Sequence, residues 1–148
     1  MKKILSLLVV VGALFMLTAC ENKEENLTLK PKKKKKKMYE GFGEDELPML
    51  GDRELVAEEL EYHLGITELD FVEGTVSEPM IGSIPHSVVV VKVAEGVDVA
   101  KTVADIKAKA NPRKWVCVEA ETVLVESKGD IIVLVMSNND TAVKMMEN

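Results

Sequence analysis

The residues that could carry chemistry are few and widely separated. His63 and His86 lie far apart and share no metal-ligand spacing, so we expect both at the surface or at a boundary of the core. Cys117 stands between two valines, which predicts a buried, inert thiol in a strand, since a catalytic cysteine needs a nearby base and an electropositive setting. Carboxylates such as Glu119 and Glu121 alternate along one stretch, but among 25 acidic residues such pairs arise by chance. We therefore predict no catalytic residue, no metal site and no cofactor.

One stretch, NPRKWVCVEAE (residues 111–121), combines residue types that are common in binding surfaces. It holds the only tryptophan, Trp115, directly after Arg113 and Lys114. Arginine and tryptophan dominate the energetics of protein interfaces, so these three residues predict a contact with a partner. The alternative is structural: Trp115 closes one end of the sheet, while the two cations offset the carboxyl end of the preceding helix.

The first twenty residues have the organisation of a secretory signal. Lys2 and Lys3 form a positive start, and residues 4–17 are apolar except for Ser6 and Gly12. This run is shorter than the roughly 20 residues that a membrane-spanning helix needs, and it fits the apolar region of a signal peptide. Small residues follow it, in the order Leu17-Thr18-Ala19-Cys20.

That four-residue motif resembles the lipobox of bacterial lipoproteins. In this class the cysteine thiol receives a diacylglyceryl group, the peptide is cut just before the cysteine, and the new N-terminus is acylated. The resemblance implies a signal peptide over residues 1–19, lipidation of Cys20 and a location on the extracytoplasmic face of the cell membrane, where two acyl chains give stable attachment. An ordinary cleaved signal peptide and an uncleaved anchor are the alternatives, and each of them exports the domain.

A lysine run follows the predicted anchor. Residues 21–37 hold eight lysines against three acidic residues, a net charge of +5. Adjacent lysines repel and Pro31 disfavours a helix, so we predict a lipidated, disordered tether over residues 20–44. The run contacts anionic lipid headgroups or wall polymers in one interpretation, is a solvated spacer in a second, and folds back onto its own domain at low salt in a third. Its lysines are Lys32, Lys33, Lys34, Lys35, Lys36 and Lys37.

The rest of the chain predicts one acidic domain over residues 45–148. Residues 38–148 hold nine basic residues against 22 acidic ones, a net charge of −13. Binding to nucleic-acid phosphates needs clustered lysine and arginine, so nucleic acid is not an expected partner.

Hydrophobic periodicity predicts the elements of this domain. Runs rich in valine and isoleucine predict four strands, at residues 69–76, 86–94, 115–126 and 131–137. Apolar residues at helical spacing predict three helices: residues 52–64, a helix capped by Asp98, and a final helix capped by Asn139 or Asp140.

The predicted fold class is α+β, with the order α-β-β-α-β-β-α. We expect a four-stranded, largely antiparallel sheet with its helices on one face. A ββα unit occurs twice in this order, because a buried strand, a polar turn and a helix follow each other at residues 86–103 and again at residues 130–145. The order is also a circular permutation of the ferredoxin-like order.

Residues 111–138, together with the preceding strand and helix, resemble small lipoproteins of Firmicute-type bacteria that are described only as a domain of unknown function. The likeness covers roughly residues 45–148. It implies lipoprotein status and a compact α+β domain, and it implies no activity.

These observations predict an exported lipoprotein whose domain is a non-enzymatic interaction or ligand-binding module at the cell envelope. Its expected partners are the membrane and an unidentified envelope protein. One alternative is an envelope enzyme, or an accessory subunit of one, that uses scattered carboxylates, and a second is a purely structural spacer, which predicts neither a pocket nor a patch. A perturbed carboxylate pair in a deep pocket would favour the enzyme, and an exposed patch around residues 113–115 would favour the module.

Overall fold

The computed structural model describes residues 30–148, so the predicted signal peptide and the lipidation of Cys20 lie outside the described residues. Four α-helices lie in this part of the chain: α1 (Pro31–Met38), α2 (Leu60–Leu64), α3 (Val99–Lys109) and α4 (Asn139–Glu147). Five strands form one sheet: β1 (Leu50–Glu54), β2 (Phe71–Pro79), β3 (Ser87–Val93), β4 (Thr122–Lys128) and β5 (Ile131–Ser137). A short 3₁₀ turn, Ala57–Glu59, leads into α2.

The sheet has the strand order β1-β2-β3-β5-β4, and each neighbouring pair is antiparallel. The α+β class and the antiparallel sheet are confirmed, whereas the prediction of four strands is wrong. The additional strand is β1, which includes residues 52–54 of the predicted helix 52–64. It pairs with residues 75–79 of β2. The ladder partner lies more than twenty residues away, so local periodicity could not reveal it.

The helices cover both faces of the sheet, so the prediction of helices on one face is also wrong. Val89 and Val91 of β3 pack with α2 and α3 on what we call the first face. Val88 and Val90 pack with α1 and α4 on the second face. A central strand in which both sets of alternating residues are valine must be buried on both sides, which requires a helical layer on each.

Several predicted elements are confirmed closely. Strand β3 is central, β4 and β5 form a hairpin, and the Asp98 carboxylate caps α3 by accepting a hydrogen bond of 3.0 Å from the amide of Lys101. Gly65 ends α2 with a φ of 73°. A side chain at Gly65 would also collide with the backbone carbonyl of Lys109, so this glycine sets how closely α2 approaches α3.

The final helix begins one residue earlier than predicted. Asn138 caps α4, because its side-chain oxygen accepts a hydrogen bond of 2.9 Å from the amide of Thr141. The repeated ββα order is present as β2-β3-α3 and β4-β5-α4. The two helices pack on opposite faces of the sheet, however, so the second unit does not repeat the packing of the first.

The lysine run is a helix, and the prediction of a disordered tether is wrong for residues 31–38. Pro31 occupies the first turn of α1, where a missing backbone N–H costs nothing. Met38 at the other end is fully buried and packs in the second-face core with Val88, Val90 and Met145. Helix α1 is therefore part of the domain's core.

The predicted strand 115–126 forms only from Thr122 onward. Cys117 has a φ of 59°, which a strand does not allow, and its side chain is exposed. The prediction of a buried thiol in a strand is therefore wrong. Residues 112–121 form an irregular segment closed by a backbone hydrogen bond of 2.9 Å from Ala120 to Pro112.

Candidate functional site

Two polar clusters lie back to back on strands β1 and β2. Successive side chains of a strand point to opposite faces, so neighbouring residues contribute to different clusters. Arg53 and Glu78 contribute to a cluster on the first face, and Asp52 and Ser77, which pair across the ladder, contribute to one on the second face.

The first-face cluster is a closed network around a buried ion pair, which we call the closed cluster: Arg53, His63, Glu78, Ser87 and Lys114. Lys114 Nζ donates to Glu78 Oε1 at 2.5 Å and to Ser87 Oγ at 3.2 Å. Arg53 Nη2 donates to Glu78 Oε2 at 3.1 Å and to His63 Nε2 at 2.9 Å. Each oxygen of the Glu78 carboxylate thus has a cationic donor.

His63 lies between the two cations of this cluster and the Glu78 carboxylate. Its Nε2 lies 2.9 Å from Arg53 Nη2, and its Nδ1 lies 3.3 Å from Lys114 Nζ and 3.5 Å from Glu78 Oε1. Burial opposes ionisation of Glu78, but the hydrogen bond from His63 and the charge and hydrogen bond of Lys114 prevail and lower its pKa to about 2. Burial also lowers the pKa of Lys114, against the attraction of Glu78.

Aromatic rings complete the surroundings of this ion pair. Lys114 Nζ lies 4.8 Å from the centre of the Tyr62 ring and 5.2 Å from that of Trp115, distances at which ring faces attract a cation. Ser87 and His63 are fully buried, and the Lys114 side chain is 2% exposed. The cluster has the geometry of a stabilising network, because Lys114 is almost fully buried and both oxygens of Glu78 have cationic partners.

The second-face cluster is formed by α1 docking against β1 and β2. Lys35 pairs with Asp52, and Lys32 Nζ lies 3.3 Å from Glu54 Oε1. Tyr39, just after α1, is hydrogen-bonded through its hydroxyl to His86 Nε2 at 3.0 Å, and His86 Nδ1 is hydrogen-bonded to Ser137 Oγ at 3.0 Å. Burial lowers the pKa of His86 to about 4, so its imidazole is neutral at pH 7.

An open cleft of about 560 Å³ lies between α1 and these two strands, and we call it the lysine cleft. Its side-chain lining combines cations, carboxylates, hydroxyls and one apolar residue: Lys32, Lys35, Lys36, Tyr39, Leu50, Asp52, Glu54, Thr75 and Ser77. Ser77 is 1% exposed, and its hydroxyl oxygen has no hydrogen-bond partner among residues 30–148. The Tyr39 hydroxyl and the Asp52 carboxylate lie near this oxygen without acceptable hydrogen-bond geometry.

Both histidines are buried, so the prediction that they lie at the surface or a boundary is wrong. Each one contacts polar residues that are distant in sequence: His63 lies against Arg53 and Lys114, and His86 is hydrogen-bonded to Tyr39 and Ser137. Sequence spacing carries no information on such partners.

The three residues predicted to contact a partner, 113–115, have different surroundings in the structure. Arg113 is exposed, with Nε 2.7 Å from Glu119 Oε2. Lys114 points inward to Glu78, and Trp115 packs against the first-face core. The structural alternative therefore fits Lys114 and Trp115, and only Arg113 is available to a partner.

The lysines predicted to contact the membrane or wall also differ in exposure. Lys35 is buried, and partial burial together with the charge of Lys37 lowers the pKa of Lys34. The outward-facing lysines of α1 are Lys32, Lys33, Lys36 and Lys37.

Four exposed apolar side chains lie where β1 begins and β2 ends, and we call them the apolar rim: Met49, Met80, Ile81 and Val116. These side chains are 79%, 72%, 62% and 69% exposed. A backbone hydrogen bond of 3.1 Å joins Met80 to Met49, and another of 3.1 Å joins Val116 to Gly82, next to Ile81. The four residues thus lie on neighbouring backbone segments. The loop sequence EPMIGSIP carried a signal for it, because it places two large apolar residues between prolines in a segment predicted as a loop.

Two kinds of feature are absent from the described part of the chain. None of its helices is both long and apolar enough to cross a membrane. Residues 30–148 also contain no group of three or more His, Cys, Asp or Glu side chains placed to hold a metal ion. Comparison of the chain with protein-family models, with curated proteins and with solved structures found no match in any of the three.

Proposed function

We propose that this protein is an exported, lipid-anchored lipoprotein whose domain is a non-enzymatic interaction module at the cell envelope, and that the apolar rim contacts its protein partner. The observation that carries the proposal is the exposure of four large apolar side chains on neighbouring backbone segments at one end of the sheet. Contiguous exposed apolar surface is uncommon on soluble domains unless it serves an interaction.

The composition of the apolar rim favours a protein with an apolar groove as the partner. Met49 and Met80 are flexible and polarisable, so they adapt to an apolar surface of irregular shape. Ile81 and Val116 are stiff and suit insertion into a preformed pocket. The exposed Arg113–Glu119 pair lies close in sequence to Val116 and would add polar contacts at the margin.

The anchor is proposed from the sequence. The order Leu17-Thr18-Ala19-Cys20, after a positive start and an apolar run, resembles a lipobox. Labelled fatty acid should therefore appear on the mature protein and disappear in the Cys20→Ala variant. Retention of label in that variant would contradict lipidation at Cys20.

The enzyme alternative gains no support from the closed cluster. A carboxylic acid that donates a proton near pH 7 needs a raised pKa, whereas that of Glu78 is lowered to about 2. Ser87 contacts Lys114, as a serine nucleophile contacts its base, but it is fully buried.

The test is crosslinking from intact cells with a tag after Asn148. The wild-type protein should capture one reproducible envelope protein, and the Cys20→Ala variant should lose it because the domain is no longer held at the membrane. The double variant Ile81→Ser, Val116→Ser should also lose it, because its interface would contain two polar side chains.

The matched control is Val72→Ser. Val72 is 66% exposed but lies at the opposite end of β2, so this change should leave capture intact. Equal capture by wild type and the double variant, or no protein neighbour despite efficient crosslinking, would overturn the proposal.

A further inference from the structure

We propose that the lysine cleft is a binding site for a phosphate group, with the Ser77 hydroxyl at its floor and Lys35 and Lys36 on its wall. This site lies on the second face of the sheet and does not depend on the apolar rim or on the proposed partner protein.

The floor of the cleft points to a polar ligand. Ser77 is 1% exposed, and its hydroxyl has no hydrogen-bond partner among the described residues. A buried hydroxyl without a partner is costly, so most such groups in proteins have one. Ser77 is among the residues that line the open cleft, and a ligand oxygen that reached its hydroxyl would satisfy it.

The walls point to an anion. Lys36 lines the cleft and forms no ion pair with another residue in the range 30–148. Asp52 holds the ammonium of Lys35 at the same wall. The Tyr39 hydroxyl at the same wall is hydrogen-bonded to His86 Nε2 at 3.0 Å.

The balance of charge also favours an anion. Three lysines line the cleft against two carboxylates, Asp52 and Glu54. Lys32 and Lys35 each pair with one of these carboxylates, which leaves Lys36 as the cation in excess. Arg53 adds no cation here, because its guanidinium contacts Glu78 and His63 on the opposite face.

A phosphate fits these donors better than a carboxylate. The donors Ser77, Lys35 and Lys36 come from the sheet and from α1, so they approach from two sides. A tetrahedral phosphate presents acceptor oxygens in several directions, whereas a carboxylate presents two in one plane. The volume of about 560 Å³ accommodates a phosphate together with part of the molecule that carries it.

The test uses a chain that begins at residue 21. It retains every helix, strand and core residue between 30 and 148, and it lacks the apolar segment that would bind lipid by itself. Titration with inorganic phosphate, at an ionic strength held constant with sodium chloride, is followed by backbone amide chemical shifts and by calorimetry. Saturable shifts should centre on Ser77, Asp52 and Lys36.

Two variants and a matched control make the result specific to the cleft. Ser77→Ala and Lys36→Gln should each weaken phosphate binding by about tenfold or more, since each removes a hydrogen bond to a charged ligand. Lys37→Gln removes the same charge from an exposed position of α1 outside the cleft and should change the affinity little. The absence of saturable binding, or an equal effect of Lys36→Gln and Lys37→Gln, would overturn the proposal.

A second arm identifies the source of the phosphate. Vesicles of phosphatidylglycerol and of phosphatidylcholine are added to the phosphate-bound chain. Displacement of phosphate by phosphatidylglycerol alone assigns the cleft to an anionic lipid headgroup. Retention of phosphate with both lipids assigns it to a soluble phosphate ester or a phosphate-containing polymer.

Discussion

The closed cluster and the lysine cleft are made from alternating residues of the same two strands, yet they differ in accessibility. Each contains a lysine paired with a carboxylate, with a buried serine and a buried histidine close by. On the first face Ser87 contacts Lys114, and both oxygens of Glu78 have cationic donors. On the second face Ser77 has no partner within residues 30–148, and the space beside it is open.

This difference separates a stabilising role from a binding role. A buried network in which every polar group has a partner stabilises a unique packing and leaves nothing for a ligand. A partly satisfied cluster that lines a cleft costs stability when it is empty and recovers that stability when a ligand binds. The four predictions that follow run from the largest expected effect to the smallest.

Breaking the buried ion pair should have the largest effect. Lys114→Met leaves Glu78 buried with less compensation, so the free energy of unfolding should fall by about 3–5 kcal/mol. Urea denaturation measures it. Lys101→Met, which breaks the exposed ion pair with Asp105, should change the midpoint little. Similar midpoints for the two variants would show that the closed cluster does not stabilise the fold.

Removing the buried end of α1 should be nearly as costly. Met38 is fully buried in the second-face core, so Met38→Ala should lower the free energy of unfolding by about 2–5 kcal/mol. Met49→Ala, at a side chain that is 79% exposed, is the matched control and should have a small effect. An equally small effect of Met38→Ala would mean that α1 does not pack on the sheet.

Acid should destabilise the two clusters in different pH ranges. The pKa of His86 is about 4 in the folded protein against an ordinary 6.5, so the unfolded chain binds the proton first. The contribution of His86 to the free energy of unfolding is therefore fully present above about pH 6.5. It is lost as the pH drops toward 4, by about 3 kcal/mol in total. Glu78, with a pKa of about 2 against an ordinary 4.5, adds a second loss as the pH falls from about 4.5 toward 2.

Thermal unfolding between pH 2 and pH 8 measures both losses. His86→Gln should flatten the upper range, and Glu78→Gln should flatten the lower one, because each replaces a titrating group by a neutral amide. An unchanged slope between pH 6.5 and pH 4 in His86→Gln would contradict the neutral, buried state of His86.

The two buried serines should respond to the same substitution with opposite sign. Ser77→Ala removes a hydroxyl without a partner, so it should raise the free energy of unfolding by about 1 kcal/mol in the absence of ligand. Ser87→Ala removes an acceptor of Lys114 and should lower it by about 1 kcal/mol. Urea denaturation of the two variants in phosphate-free buffer compares them directly, and changes of the same sign would remove the distinction between the clusters.

The sequence predicts the elements whose signals are local. Strands β3 and β5 follow from continuous valine and isoleucine runs, and α3 follows from the Asp98 cap and its apolar stripe. Strand β1 was missed because Val56, Leu60 and Leu64 have helical spacing, and only the pairing with β2 shows that Leu50–Glu54 is extended. Val56 is 44% exposed, whereas Leu60 and Leu64 are buried, so the first residue of this helical pattern does not belong to the core.

The candidate sites depend on contacts that no local pattern shows. Repulsion within the lysine run predicted an extended tether, but Asp52 and Glu54 offset the charges of Lys35 and Lys32, and Met38 gains burial. Cys117 was predicted in a strand from its valine neighbours, whereas its φ of 59° places it in an irregular segment. Lys114 and Trp115 were recognised as unusual, but their inward orientation depends on Glu78 and on the first-face core.

Hydrogen exchange at the backbone amides of residues 34–38 tests the central claim most directly, because the lysine cleft exists only if α1 is docked on the sheet. The measurement uses the chain that begins at residue 21, with the amides of β3 as an internal reference for global unfolding. We predict that these α1 amides are strongly protected, with Met38 approaching the protection of β3. Exchange of residues 34–38 at the rate of an unstructured peptide, while β3 stays protected, would contradict the account. It would mean that the lysine run is a disordered tether.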